Sequence, residues 1–190
     1  MQDGTVRHLK YAALAAVPLS FAGVLLSSPY RGAPTPLISE SVEIARPCLR
    51  VVDYLANSAH ASEWSAFVSH ITPLNAEIVP DGAQGSIRRS FRNSDETGMR
   101  WDEYFLEVTP LRRRLRVYNV VGAPLRATTL LLTEQIYEPV DANRCRLSFT
   151  LFFGEDPSLG DRLRLRLGAH LIAPIFRRNI GNIKQLVEAP

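Results

Sequence analysis

Between residues 71 and 154 the sequence breaks into short apolar runs separated by turn residues, and no helical pattern falls between them. The breaks are Pro80-Asp81-Gly82, residues 93–98, Thr109-Pro110, Gly122-Ala123-Pro124 and residues 139–143. Glycine and proline supply backbone angles that tight turns require, and Asn and Asp bond back to their own main chain. The runs 71–79, 85–91, 99–108, 114–121, 125–137 and 144–153 therefore read as strands. Parallel neighbours would need crossovers of a dozen or more residues, so these short links predict antiparallel pairing. The last run is the clearest: Cys145, Leu147, Phe149, Leu151 and Phe153 alternate with Arg144, Arg146, Ser148 and Thr150.

A sheet with one apolar face must bury it. The only element long enough to cover these strands is a predicted helix over 156–189. Leu159, Leu163, Leu167 and Leu171 share one stripe before Pro174; Ile175, Phe176, Ile180, Ile183 and Leu186 form a rotated stripe after it. A proline kink would bring both onto one surface. Upstream, Ile38, Val42 and Ile44 alternate with polar residues over 37–44 as a first strand. Arg46-Pro47 ends it, and Cys48, Val51, Val52 and Leu55 follow at helical spacing; a second short helix around 60–68 carries Trp64 and Phe67. The expected class is α+β, with about seven antiparallel strands curved around a long C-terminal helix.

The N-terminus stands apart. Residues 9–26, LKYAALAAVPLSFAGVLL, are apolar apart from Lys10 near the start. A bilayer core needs roughly 17–25 such residues, and Pro18 is tolerable in a membrane helix. An uncleaved anchor is the first reading and a cleaved signal peptide its rival, although no A-x-A-like site follows. Arg7 precedes the segment and Lys10 lies at its start, so the positive-inside rule points to a domain on the extracytoplasmic side. The organisation read from these features is an anchor over 1–28, a Pro-rich linker over 29–36 and a domain over 37–190.

Chemistry-bearing patterns are sparse. Cys48 and Cys145 are the only cysteines, which excludes multi-cysteine zinc and iron–sulfur sites. His8, His60, His70 and His170 have no metal-ligand spacing, and no phosphate loop, dinucleotide fingerprint or nucleophile elbow occurs. No metal or cofactor is expected. The net charge of +3 is too mild to argue for nucleic acid. Arg112, Arg113, Arg114 and Arg116 form the densest charge, read as a solvated hairpin tip or a contact for anionic head groups. Alternation sends Asp102 with Tyr104, Leu106 and Val108 to one face, and Trp101, Glu103, Phe105 and Glu107 to the other. If the first set points inward, a buried Asp102 has a raised pKa and is the one weak candidate for a general acid or base.

The order of elements, with particular residues in place, resembles the START-related (SRPBCC) superfamily and its polyketide cyclase/dehydrase-like branch. The resemblance rests on Val42-Glu43-Ile44-Ala45-Arg46-Pro47, on Tyr54-Leu55 with Glu63-Trp64 and Phe67, on Gly82-x-x-Gly85, and on Thr109 to Leu115. It covers residues 37–187, and the ordered set, not any one motif, carries it. It implies a helix-grip fold with an apolar cavity between sheet and C-terminal helix. Trp64, Phe67, Tyr104, Leu106, Leu147, Phe149, Leu151, Ile172 and Phe176 would line that cavity. It further implies binding or carriage of an apolar small molecule: a lipid, a sterol-like compound or an aromatic polyketide. The alternatives are a cyclase/dehydrase-type enzyme using acid–base catalysis, or an accessory module that docks a protein. No catalytic residue is common to the superfamily, so none transfers.

The superfamily's sheet order also implies that the first and last strands pair antiparallel. Cys48 and Cys145 would then approach each other, either as a disulfide or as two separate buried thiols.

Overall fold

The computed structural model describes residues 36–123, 131–154 and 157–189. The apolar segment 9–26, the linker up to residue 35 and the first part of the expected strand 125–137 lie outside these. Thr35–Pro190 form one compact unit.

In chain order the elements are β1 (Pro36–Ile44), α1 (Cys48–Ala56), a 3₁₀ turn (Ser58–His60), α2 (Ala61–Trp64), β2 (His70–Pro73), β3 (Ile87–Phe91), β4 (Arg100–Val108), β5 (Arg112–Val121), β6 (Leu131–Asp141), β7 (Arg144–Phe153) and α3 (Leu159–Glu188). The seven strands form one sheet in the order β1-β7-β6-β5-β4-β3-β2, with every neighbouring pair antiparallel. The first and last strands pair as expected, in a register that sets Ile38 opposite Leu151 and Ile44 opposite Cys145. Cys48 and Cys145 are joined by a disulfide, with Cα atoms 4.9 Å apart.

Two expected elements are shorter, for local reasons. The run 71–79 is a strand only to Pro73. Beyond it the Asn75 side chain accepts from Ile87 N at 2.7 Å and donates to Gly85 O at 3.1 Å, serving the edge of β3 in place of a strand backbone. The second helix stops at Trp64 because Ser65 Oγ accepts from Phe67 N and Val68 N, which turns the chain away from helical geometry.

The long helix corrects the expected packing. Leu159, Leu163, Leu167 and Leu171 are 58–70% exposed. The stripe facing the sheet is Asp161, Leu165, Gly168, Ile172, Phe176, Asn179, Ile183 and Val187, in steps of three and four residues that run through Pro174 unbroken. No kink is needed to unite two apolar stripes. Hydrophobicity alone missed this stripe because several of its members are polar or small. Asn179 Oδ1 accepts from Ala66 N at 2.7 Å, tying the helix to the segment after α2, and Ser158 caps the first turn through Asp161 N.

The core lies where α1 and the second half of α3 meet β1, β6 and β7. Ile44, Val51, Leu55, Tyr137, Cys145, Leu147, Phe149, Ile180 and Ile183 are its buried members.

Candidate functional site

Facing residues in an antiparallel ladder share one side of the sheet. Tyr137, Leu147 and Phe149 belong to the core under α3, so their side is the inner one. Gln135 accepts the Tyr137 hydroxyl at 2.7 Å and sits opposite Arg113; Leu115, two residues on, sits opposite Phe105. Glu103 is opposite Arg88, and Trp101 is opposite Ser90. The inner surface of β3, β4 and β5 thus carries Arg88, Ser90, Trp101, Glu103, Phe105, Arg113 and Leu115.

This inverts the expected face of β4. Asp102 and Tyr104 lie on the outer side, opposite Arg89 and Ile87. Leu106 has no register partner; it is the extra residue where the ladder shifts between Phe105 and Glu107. Trp101 and Phe105 were the available signal, since a Trp and a Phe on alternate positions outweigh a Tyr and a Leu as core-facing groups. Glu103, Arg88 and Arg113 carried no such signal, being charges on a face assumed to be apolar.

Among the other expected lining residues, Leu147, Phe149 and Leu151 face inward and are buried. Ile172 and Phe176 are on the inner stripe of α3 and half-buried. Trp64 meets Phe149 edge-on at 6.3 Å, and Phe67 stacks on Trp101 at 6.0 Å. An aromatic wall therefore runs from β7 across the chain after α2 to β4.

Set into this wall is a charged group. Glu103 accepts from Arg88 Nε at 2.8 Å and from the Trp101 indole N–H at 2.9 Å. The Arg88 guanidinium lies 4.6 Å over the Phe105 ring. Arg113 is 3% exposed, lies 6.0 Å over the Tyr137 ring and donates to Val52 O at 3.2 Å. Burial pushes the Tyr137 phenol up to about 12, so it stays neutral. The hydroxyls of Ser86 and Ser90 and the Nε of Arg113 are buried and have no hydrogen-bond partner among the described residues. The arginine run is thus divided by alternation: Arg113 points in, while Arg112 pairs with Glu107 and Arg114 with Glu134.

Asp102 is buried, but not as an acid–base group. Arg89 donates to its two oxygens at 2.7 and 3.0 Å, and Asn119 donates at 2.9 Å. The Arg89 hydrogen bond outweighs burial and holds its pKa below the ordinary carboxylate value. Asp102 is the ionised member of a salt bridge on the outer face at neutral pH. Among the described residues no cluster of His, Cys, Asp and Glu could hold a metal ion. Two open grooves, of about 430 and 420 Å³, lie at the seams of α3 with α1 and with β1. Both are outside the aromatic wall.

Residues 35–188 match the sequence model of the polyketide cyclase/dehydrase and lipid transport family. The chain belongs to this family. Its fold is likewise that of solved members of the SRPBCC group. The Zhui aromatase/cyclase of Streptomyces sp. R1128 superposes with a TM-score of 0.60 at 16% identity, over 80% of this chain and 92% of that one. Norcoclaurine synthase of Thalictrum flavum, solved with dopamine and hydroxybenzaldehyde, gives 0.57 at 14% identity, over 79% and 84%. A Thermobifida fusca protein solved by NMR gives 0.61 at 18% identity, over 79% and 91%. No protein of the curated set matches by sequence. At these identities the solved structures establish the helix-grip fold alone. Within the polyketide cyclase/dehydrase and lipid transport family, which covers both binding of apolar molecules and cyclisation of polyketides, this chain presents an interior that is aromatic with one embedded ion pair.

Proposed function

We propose that this chain binds and carries a small molecule with an apolar body and one polar end, held between the sheet and the first half of α3. One contrast carries the reading. Ile183 on the inner stripe and Ile180 beside it are buried, whereas Leu165, Ile172 and Phe176 on the same stripe, with Trp64, Phe67 and Trp101 across from them, keep part of their surface open. Inward-facing apolar groups that stay accessible are what a ligand's hydrocarbon or ring system covers. The unpartnered Ser90 hydroxyl, opposite Trp101 at the open end of the interior, suits an oxygen at the ligand's polar end.

Native mass spectrometry of protein extracted gently from its host tests this. A co-purifying small apolar mass supports carriage. Protein that is empty, and that leaves Trp64 and Trp101 fluorescence unchanged on titration with an environment-sensitive apolar dye, refutes it.

A cyclase/dehydrase-type reaction is the second reading, favoured by the inward carboxylate of Glu103. Glu103→Gln should then abolish turnover of a bound polyketide-like substrate while leaving its binding intact. Equal turnover in the variant removes Glu103 from any such role.

The same proposal includes a membrane tether through residues 9–26, with the domain on the extracytoplasmic side. The Cys48–Cys145 disulfide supports that side, because disulfides persist outside the reducing cytosol. Among the described residues no helix is long and apolar enough to cross a membrane. Recovery of the intact full-length chain in the soluble fraction would sink the tether.

A further inference from the structure

The first half of α3 presents an arrangement that the interior does not use. Leu159, Leu163, Leu167 and Leu171 are 68%, 58%, 59% and 70% exposed, at successive intervals of four residues. At about 1.5 Å per residue they make a ridge roughly 18 Å long. Helical spacing of about 100° per residue spreads them over an arc of about 120°. Arg162 and Arg166 flank that arc on one side and Arg164 on the other, all three exposed. The same half-helix has one acidic residue, Asp161, which is buried and held by the Ser158 hydroxyl at 2.7 Å. The exposed face is therefore apolar along most of its centre, where exposed His170 also falls, and basic along both margins, with Arg164 lying 3.9 Å from Asp161.

We propose that this face of α3 lies on an anionic lipid surface, with the four leucines in the acyl boundary and the flanking arginines at the head groups. Charge selects this occupant. A second copy of the chain would bring a like-charged arginine margin against its own, and an uncharged apolar partner would leave both margins unused. Anionic lipid satisfies the ridge and its margins together, as for interfacial amphipathic helices in general. Long arginine side chains suit the geometry, because they extend from the ridge towards head groups while their stems stay in apolar surroundings. The proposal rests on α3 and is independent of both the interior site and residues 9–26.

The test uses the full chain and a local probe. Both native cysteines are in the disulfide, so Leu167→Cys gives one reactive thiol for an environment-sensitive fluorophore. Ser41→Cys labels β1 as a control. Vesicles of phosphatidylcholine mixed with phosphatidylglycerol should blue-shift the probe at 167 and protect it from an aqueous quencher. Phosphatidylcholine alone should do so far less, and the probe at 41 should stay aqueous throughout. Arg162→Gln with Arg166→Gln should weaken the lipid-dependent shift about thirtyfold, which is about 2 kcal/mol at roughly 1 kcal/mol per arginine.

A probe at 167 that stays aqueous beside anionic vesicles overturns the proposal. So does one already shielded without lipid, which would mean that another part of the chain covers the ridge. A shift that follows protein concentration instead of lipid would assign the face to a second copy. A shift indifferent to phosphatidylglycerol would remove the electrostatic basis.

Discussion

Cys48, at the first position of α1, is covalently joined to Cys145, near the start of β7, across a sequence separation of 97 residues. The link closes the chain from α1 through β2 to β6 into one loop, at the point where β1 and β7 pair and Ile44 faces Cys145. A cross-link of that span removes much of the unfolded chain's freedom. Replacing both cysteines by serine should lower stability by about 2–4 kcal/mol in denaturant unfolding. Protein isolated under oxidising conditions, unfolded without reductant, should titrate no thiols. Two free thiols would show the bond absent.

Asp102 sets the acid limit of the outer face. Its folded pKa is depressed by Arg89, so its contribution is complete above the unfolded value of about 4 and is lost as pH falls through the folded value. Asp102→Asn should cost about 2 kcal/mol at neutral pH, a hydrogen-bonded charge discounted because the Arg89 side chain is 35% exposed. The gap between wild type and variant should narrow below about pH 4. Asp141→Asn breaks a similarly depressed but exposed pair with Arg144 and should change little. A gap that widens on acidification would contradict the assignment.

Most of the strands and their antiparallel order were legible because turn residues and period-two alternation are local signals, whereas the β1–β7 pairing, a nonlocal property, came only from the resemblance to the superfamily. The inner face of β4 was harder, for its seven residues from Arg100 to Leu106 contain candidates for either side. Register against β3 and β5, a nonlocal property, decides between them, and two register shifts in the β4–β5 ladder intervene. The face of α3 was misread for a related reason. Its most apolar stripe is the exposed one, while Gly168 and Asn179 face inward for space and for a hydrogen bond to Ala66. Patterning assumes that the most apolar stripe is buried, and a helix with an exposed leucine stripe breaks that assumption.

Gly82 and Gly85 separate two kinds of glycine requirement. Both have positive φ, +74° and +86°, but a Cβ at Gly82 would come 2.6 Å from the Ala56 carbonyl oxygen, whereas one at Gly85 would meet nothing within 4 Å. The loop closes there on the end of α1, where Asp81 also accepts from Ser58 N at 3.1 Å. Gly85→Ala should cost about 1–2 kcal/mol, from backbone strain alone. Gly82→Ala adds displacement of main chain and should cost more, with faster hydrogen exchange at Ser58 and Ala59. Equal costs at the two positions would show that the loop yields freely.

Phe149 belongs to the buried core cluster and Phe176 packs against it, but the two are not equally committed to the core. Phe149 is 4% exposed and packs under Trp64, whereas Phe176 is half-buried at the margin of the same cluster. Phe149→Ala should cost about 3–5 kcal/mol, transfer and cavity terms together. Phe176→Ala should cost clearly less, since part of its ring is already in water. Ligand retention should be affected in the opposite order relative to stability: Phe176 borders the open part of the interior, so its loss should weaken binding of an apolar dye more per unit of stability lost. Thermal unfolding and dye titration on the same two variants separate the effects. If Phe176→Ala destabilises as much as Phe149→Ala and leaves dye affinity unchanged, the half-helix before Asn179 closes on the sheet and the interior has no room for a ligand there.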